Sequence, residues 1–259
     1  MRIRFGAAAA VALSGLVCGS AFADPSVDYL QPQLKPGDRQ ATVFSKAVSI
    51  KGQGFDEYVS RVSGTATDTV AAVALDAITL DVTYRYDGRP EGKGSAVIRD
   101  HGTMICHKDQ CSVNDDTSGA RFIPYLWGTI PDDIAVGMSW TADIAKPWEI
   151  GPKGTERVTV VRLDRDAHLV TLKREGEGDG PSSDDEQGSA KRNIVVGGKT
   201  IAVTIAPGRT HWEGYTTIAQ GVTVSDEIIA RRPVTLMADT GEKYEGEERV
   251  YTLLIGAPA

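Results

Sequence analysis

The stretch RVTVVRLDRDAHLVTLKR, residues 157–174, decides the fold class. Its two arms, RVTVVRL (157–163) and HLVTLKR (168–174), alternate apolar and polar side chains, and the polar or small residues Asp164 to Ala167 separate them. A period of two sends successive side chains to opposite faces of a sheet, and two such runs joined by a short polar link form an antiparallel hairpin.

Working outward, the same alternation recurs in ATVFSKAVSI (41–50), AITLDVTYRY (77–86), TIAVTIA (200–206) and RVYTLLI (249–255). Between these runs lie Asp87-Gly88, Gly197-Gly198, Pro207-Gly208 and Thr240-Gly241, turn pairs in which glycine accepts positive φ. A second hairpin is expected where VTLMA (234–238) and EKYEGEERVYTLL (242–254) flank Asp239-Thr240-Gly241. The few helix-like windows, 68–76 and 225–231, are short and rich in β-branched residues, which favours strand. The expectation is an all-β or strongly β-dominated chain with more than ten antiparallel strands, forming a curved sheet or a barrel-like closure. LKPGDRQATVF (34–44) and IAVGMSWTADI (134–144) each set a glycine, Gly37 and Gly137, just before a strand, which hints at two β lobes meeting near residue 130.

The chain opens with Arg2 and Arg4, an apolar run, and Ala21-Phe22-Ala23, the layout of a secretory signal peptide cleaved between Ala23 and Asp24. Cys18 then leaves with the signal; a lipoprotein reading of it meets the bulky Val17 where a small residue is wanted. Residues 24–37, with three prolines, read as an extended leader on the surface, and 38–259 as the β-rich body. Within that body REGEGDGPSSDDEQGSAKR (174–192) carries six acids and no large apolar residue, so it reads as an exposed, mobile loop between two strands.

The whole chain has 28 basic and 35 acidic residues; without residues 1–23 the net charge falls from −7 to −9. Such a surface repels phosphate backbones, so nucleic acid is not an expected partner. No later run reaches the roughly 18 apolar residues of a spanning helix, so the mature chain is expected not to be transmembrane.

Cys106 and Cys111 bracket His107-Lys108-Asp109-Gln110. In an oxidising compartment, a periplasm or the extracellular space, two cysteines of one soluble chain are expected to pair, and facing strand positions are close enough for the bond. The competing reading is a zinc or copper site from His101, Cys106, His107 and Cys111. A thiol-disulfide catalyst would need two residues between the cysteines and a helix N-terminus.

Glu175, Glu177, Asp179 and Glu186, with Gly180, match calcium-loop spacing, but the flanks read as strands and Pro181 interrupts. LMADTG (236–241) looks like half of an aspartic-protease site, yet a working site needs two such aspartates sharing a proton, and a hairpin turn explains the stretch. The chain contains no nucleophile elbow, no zinc-protease helix motif and no phosphate-binding glycine loop. A hydrolase would have to assemble its groups from distant strands.

Trp127, Trp140, Trp148 and Trp212, with Tyr125 and Tyr215, lie in or beside strand patterns. Buried core is one reading of them; an aromatic-lined concavity for an apolar ligand is the other. The function expected is therefore non-enzymatic: an exported envelope protein that binds an apolar small molecule or another envelope protein through a sheet face, with no cofactor. Intact mass spectrometry of the exported chain should give a polypeptide starting at Asp24 and two hydrogens lighter than its reduced form; an unchanged mass on reduction would remove the disulfide.

Overall fold

The computed structural model describes residues 24–30, 34–74, 77–99, 102–107, 110–114, 131–144, 147–183, 185 and 191–258, with 24, 27, 28, the described residues of 98–114, 257 and 258 as backbone only. Within them the chain is almost entirely antiparallel β. One meander runs through β2 (Arg39–Gly52), β3 (Tyr58–Val73), β4 (Ala77–Tyr86), β5 (Gly92–Arg99), β6 (Gly102–His107) and β7 (Gln110–Asn114). A second comprises β9 (Ser139–Ile144), β10 (Gly154–Asp164), β11 (Leu169–Gly178), β14 (Thr210–Ala219), β15 (Val222–Ala238) and β16 (Lys243–Pro258). Pairing of β16 with β2 joins the two into one twelve-strand path from β7 to β9 that does not close on itself. Both expected hairpins are present, β10 with β11 and β15 with β16. Short β1 (Asp24–Pro25) and β8 (Asp133–Ile134) pair separately, and β12 (Lys191–Val196) and β13 (Lys199–Pro207) lie off the main path.

The seventeen-residue β15 is the spine. One edge pairs with β16 along Ser225–Met237. The other takes β14 from Val222 to Arg231, then β13 from Val234 to Ala238. Strands β13 and β14 thus follow one another along the same edge. Pro207-Gly208, expected to reverse the chain, instead carries it past Pro233: Gly208, Arg209 and Thr210 lie opposite only Arg232 and Pro233, a one-residue bulge. Proline has no N–H for the ladder, so the break falls where a donor would be missing, and Gly208 donates to the Pro233 carbonyl at 2.8 Å. The neighbouring row behaves alike, since β11 pairs with β14 and β12 with β13, and the acidic segment leaves the sheet between them.

Gly37 and Gly137 do share a local geometry. Both have positive φ, 94° and 89°. The Gly37 N–H donates to the Val70 carbonyl, whose own N–H returns to Asp38; Gly137, Val160 and Met138 repeat this arrangement. A register shift follows each valine, at Val70/Ala72 and Val160/Arg162.

Alternation sorts the two faces. On β15, Ile228, Ala230, Val234, Leu236 and Ala238 are buried, whereas Glu227, Arg231 and Pro233 face out. Three apolar clusters line the inner face: Val158, Val160, Val170, Leu172 and Ile218; then Trp148, Trp212, Ile144, Ile228 and Val250; then Ile50, Ile194, Val203, Ile205 and Leu236. The leader departs from expectation. Its residues 27–30 form a single helical turn, α1 (Val27–Leu30), whose Tyr29 and Leu30 are buried in the first cluster, because this pair supplies the apolar surface the rest of the segment lacks. His168, expected to begin a strand, sits in the preceding turn at φ 46° with its ring 6.0 Å from that of Tyr29. Among the described residues no helix is long and apolar enough to cross a membrane.

Trp212 explains two small residues. Across the ladders it faces Gly176 and Ala230, and a Cβ on Gly176 would lie 2.4 Å from its indole. Gly176→Ala should therefore cost roughly 1–3 kcal/mol through overpacking, read from urea unfolding; a change near zero would show that the indole has room to move.

Candidate functional site

The inner face carries two belts of buried charge. In the first, Glu156 accepts hydrogen bonds from Arg174 Nε and from Trp212 Nε1, each at 2.8 Å. Arg174 Nη1 lies 3.6 Å from Asp226, which also accepts from the Thr216 hydroxyl. The guanidinium stands 5.4 Å over the Trp148 ring, and Trp148 meets Trp212 edge to face at 5.6 Å. Burial opposes the charge on Arg174, but Glu156 and Asp226 outweigh it and raise its pKa.

In the second belt, Arg232 is held bidentately by Asp185, at 2.6 and 3.1 Å, and by Glu248 at 2.5 Å. Arg192 approaches the other Glu248 oxygen at 3.9 Å. Asp185 also accepts from the Ser182 N–H and hydroxyl, at 2.9 and 2.8 Å. Burial works against its ionisation, yet the Arg232 hydrogen bonds and charge, helped by Ser182, hold the Asp185 carboxyl below the usual aspartate value. This corrects the reading of 174–192 as an exposed loop. Residues 174–178 belong to β11, 191 and 192 to β12, and Ser182, Ser183 and Asp185 are buried, with Asp185 paired to Arg232 as a second carboxylate beside Glu248. The Ser183 N–H donates to the Trp148 carbonyl, and Lys46 on β2 reaches the Glu149 carbonyl at 3.0 Å, so both inner segments are tied across the face.

Among the described residues a groove opens on the other face. Outward side chains of three strands, Tyr215 and Glu213 on β14, Glu227 and Ile229 on β15 and Tyr251 on β16, with Lys173 on β11, line this groove of about 270 Å³. Tyr215 is half exposed. The Tyr251 hydroxyl donates to Glu227 at 3.0 Å; lost hydration and this carboxylate raise its pKa above that of an ordinary phenol. Lys173 is held by Glu175 at 2.7 Å, and Arg231 stands 3.6 Å from Glu213.

Of the aromatic residues singled out in the sequence, Trp148 and Trp212 are core, Trp140 packs beside the α1 cluster, and Tyr215 lines the groove. Tyr125 and Trp127 lie outside the described residues. Tyr251, Ile229 and Glu227 were not anticipated, because only the β14–β15–β16 register brings them to Tyr215. The calcium spacing meets a different arrangement: Glu175 and Glu177 sit on β11, and Glu177 and Asp179 share Arg209, while Glu186 lies outside the described residues. Among the described residues no group of three or more His, Cys, Asp or Glu is placed to hold a metal ion. His101 and the side chains of Cys106, His107 and Cys111 lie outside that set. The backbone does pair Cys106 with Cys111 and His107 with Gln110, a tighter connection than the four-residue loop expected.

No family model matches the chain, and neither does any curated protein. Among solved structures, the COG4313 outer membrane channel from Pseudomonas putida F1 is similar at 10% identity and a TM-score of 0.23, covering 90% of this chain and 99% of its own. Ail, the attachment invasion locus protein of Yersinia pestis, is similar at 8% identity and a TM-score of 0.17, covering 86% of this chain and 100% of its own. Scores this low bear on neither fold nor function.

Asp185 gives a measurable signature. Its contribution to stability is full above the unfolded carboxylate pKa of about 3.9 and is lost as the pH falls through the lower folded value. Asp185→Asn should cost about 3 kcal/mol at pH 7 in urea unfolding and flatten the acid limb of the stability profile. An unaltered acid limb would mean that Arg232 does not depend on Asp185.

Proposed function

We propose that this chain is a non-enzymatic envelope protein, exported after cleavage between Ala23 and Asp24, that binds a small amphipathic ligand in the outer groove between Tyr215 and Tyr251. The observation that carries the reading is the placement of that groove. Among the described residues the inner face carries three apolar clusters and two ion networks, whereas the outer face presents two tyrosines over an isoleucine floor. A volume of about 270 Å³ suits a head group or a single side chain of a partner. The buried carboxylates Glu156, Asp185 and Glu248 are each held by an arginine, which favours a structural role for them over acid–base chemistry.

The charge pattern supports a mature chain surrounded by water. A membrane-spanning barrel turns an apolar band outward and keeps its polar residues inside. Here the outward positions of β14–β16 include His211, Glu213, Glu227, Arg231, Glu245, Glu247 and Arg249, which interrupt the outward Tyr215, Ile229, Met237, Tyr251 and Ile255 and leave no continuous apolar band on these strands. The opposition of Cys106 and Cys111 supports a disulfide at the β6–β7 tip, in keeping with an oxidising compartment.

Native mass spectrometry of the chain from its own envelope fraction tests the proposal. The wild type should retain an organic adduct that the Tyr215→Ala/Tyr251→Ala variant has lost. An adduct kept equally by both would move the site elsewhere, and a bare wild-type chain would overturn binding.

A further inference from the structure

Resting on the groove as the binding site, we infer that its occupant is a compact organic cation, a quaternary ammonium or a protonated amine, held between the Tyr215 and Tyr251 rings against Glu227. The register fixes the geometry. Tyr215 stands opposite Glu227, and Ile229 stands opposite both Glu213 and Tyr251. The two rings are thus rooted two strands and two residues apart, about 12 Å on the diagonal at the usual spacings, with Ile229 and Glu227 between them. A cation is attracted to a ring face within about 6 Å of its centroid, so one seated midway reaches both rings.

Charge selects the sign. Of the groove's ionisable side chains, Glu213 and Glu227 are acidic, and the one cation, Lys173, is drawn towards Glu175. Glu213 has Arg231 at the looser distance of 3.6 Å, whereas Glu227 has the neutral Tyr251 hydroxyl. The carboxylate in the middle of the groove is therefore matched by a phenol, and an entering cation would supply the missing charge. The hydrogen bond also polarises the Tyr251 ring in the direction that favours a cation over its face. An anion would meet repulsion, and a purely apolar guest would strip water from two carboxylates for one aliphatic contact.

The test compares choline with 3,3-dimethylbutan-1-ol, its neutral isostere, in NMR titrations of the mature chain that follow the Tyr215 and Tyr251 ring signals. Choline should shift both rings, and its affinity should fall at least about fivefold in Glu227→Gln and in Tyr215→Ala, with unfolding midpoints confirming that both variants fold. The neutral isostere should bind more weakly and be indifferent to Glu227→Gln. Equal binding of the two probes would overturn the cation and leave the groove standing. No response to either probe would overturn the cation as well, and the native adduct measurement would then decide separately whether the groove binds anything.

Discussion

The pivot of the molecule is the guanidinium of Arg232, clamped between Asp185 and Glu248 at the level where the sheet divides. Taking one cation and two carboxylates out of water costs several kcal/mol per ion, so the cluster is poor evidence for net stability. Its effect is on which arrangement is allowed. Beside Pro233 the edge of β15 carries no uninterrupted partner, and to Glu248, which stands opposite Arg232 on β16, a second acid is added from outside these strands. That acid, Asp185, is in the segment between β11 and β12, so the split of the sheet, the bulge at Gly208–Thr210 and the burial of Ser182, Ser183 and Asp185 form one linked solution.

The same logic shapes the belt around Arg174. Glu156 and Asp226 hold it from two other strands and Trp212 on a third donates to Glu156, so these contacts fix register as well as charge. A slip of β10 by one residue would turn Glu156 to water and leave the buried Arg174 without its closest carboxylate. Glycine opposite an aromatic ring is the second recurring device. Gly176 under Trp212, Gly92 under Tyr84 and Gly64 under Phe44 each leave a gap that the ring fills, so these glycines serve packing instead of turns.

How far residues alone reveal this varies with the range of the interaction. The cores of β10 and β11 and both hairpins follow from alternation and turn chemistry, which are local. The break at Pro207-Gly208 was misread as a reversal because the deciding residue, Pro233, is on another strand. Arg232 left a visible trace: it stands in step with Ile228, Ala230, Val234 and Leu236, on the buried face of its own strand. Its partner Asp185 left none, since an acidic segment rich in glycine and serine resembles a solvated linker until the arginine it neutralises is known. The groove was half visible. Tyr215 stood out by type, but Glu227, Ile229 and Tyr251 converge on it only through two ladder registers.

Those registers also connect the two faces. Gly214 lies between inward Trp212 and Thr216, and a Cβ there would fall 2.1 Å from the Glu227 carbonyl. Its missing side chain therefore lets β15 approach β14 closely at the level where Tyr215 and Glu227 stand side by side on the opposite surface. Thr216 and Asp226, hydrogen-bonded to each other beneath, stand opposite one another in the same ladder. The outer groove is thus set by inner contacts that are dry and tightly registered, while its own tyrosines and carboxylates remain open to water. Such a division lets the outer side chains vary while the positions from which they project stay fixed.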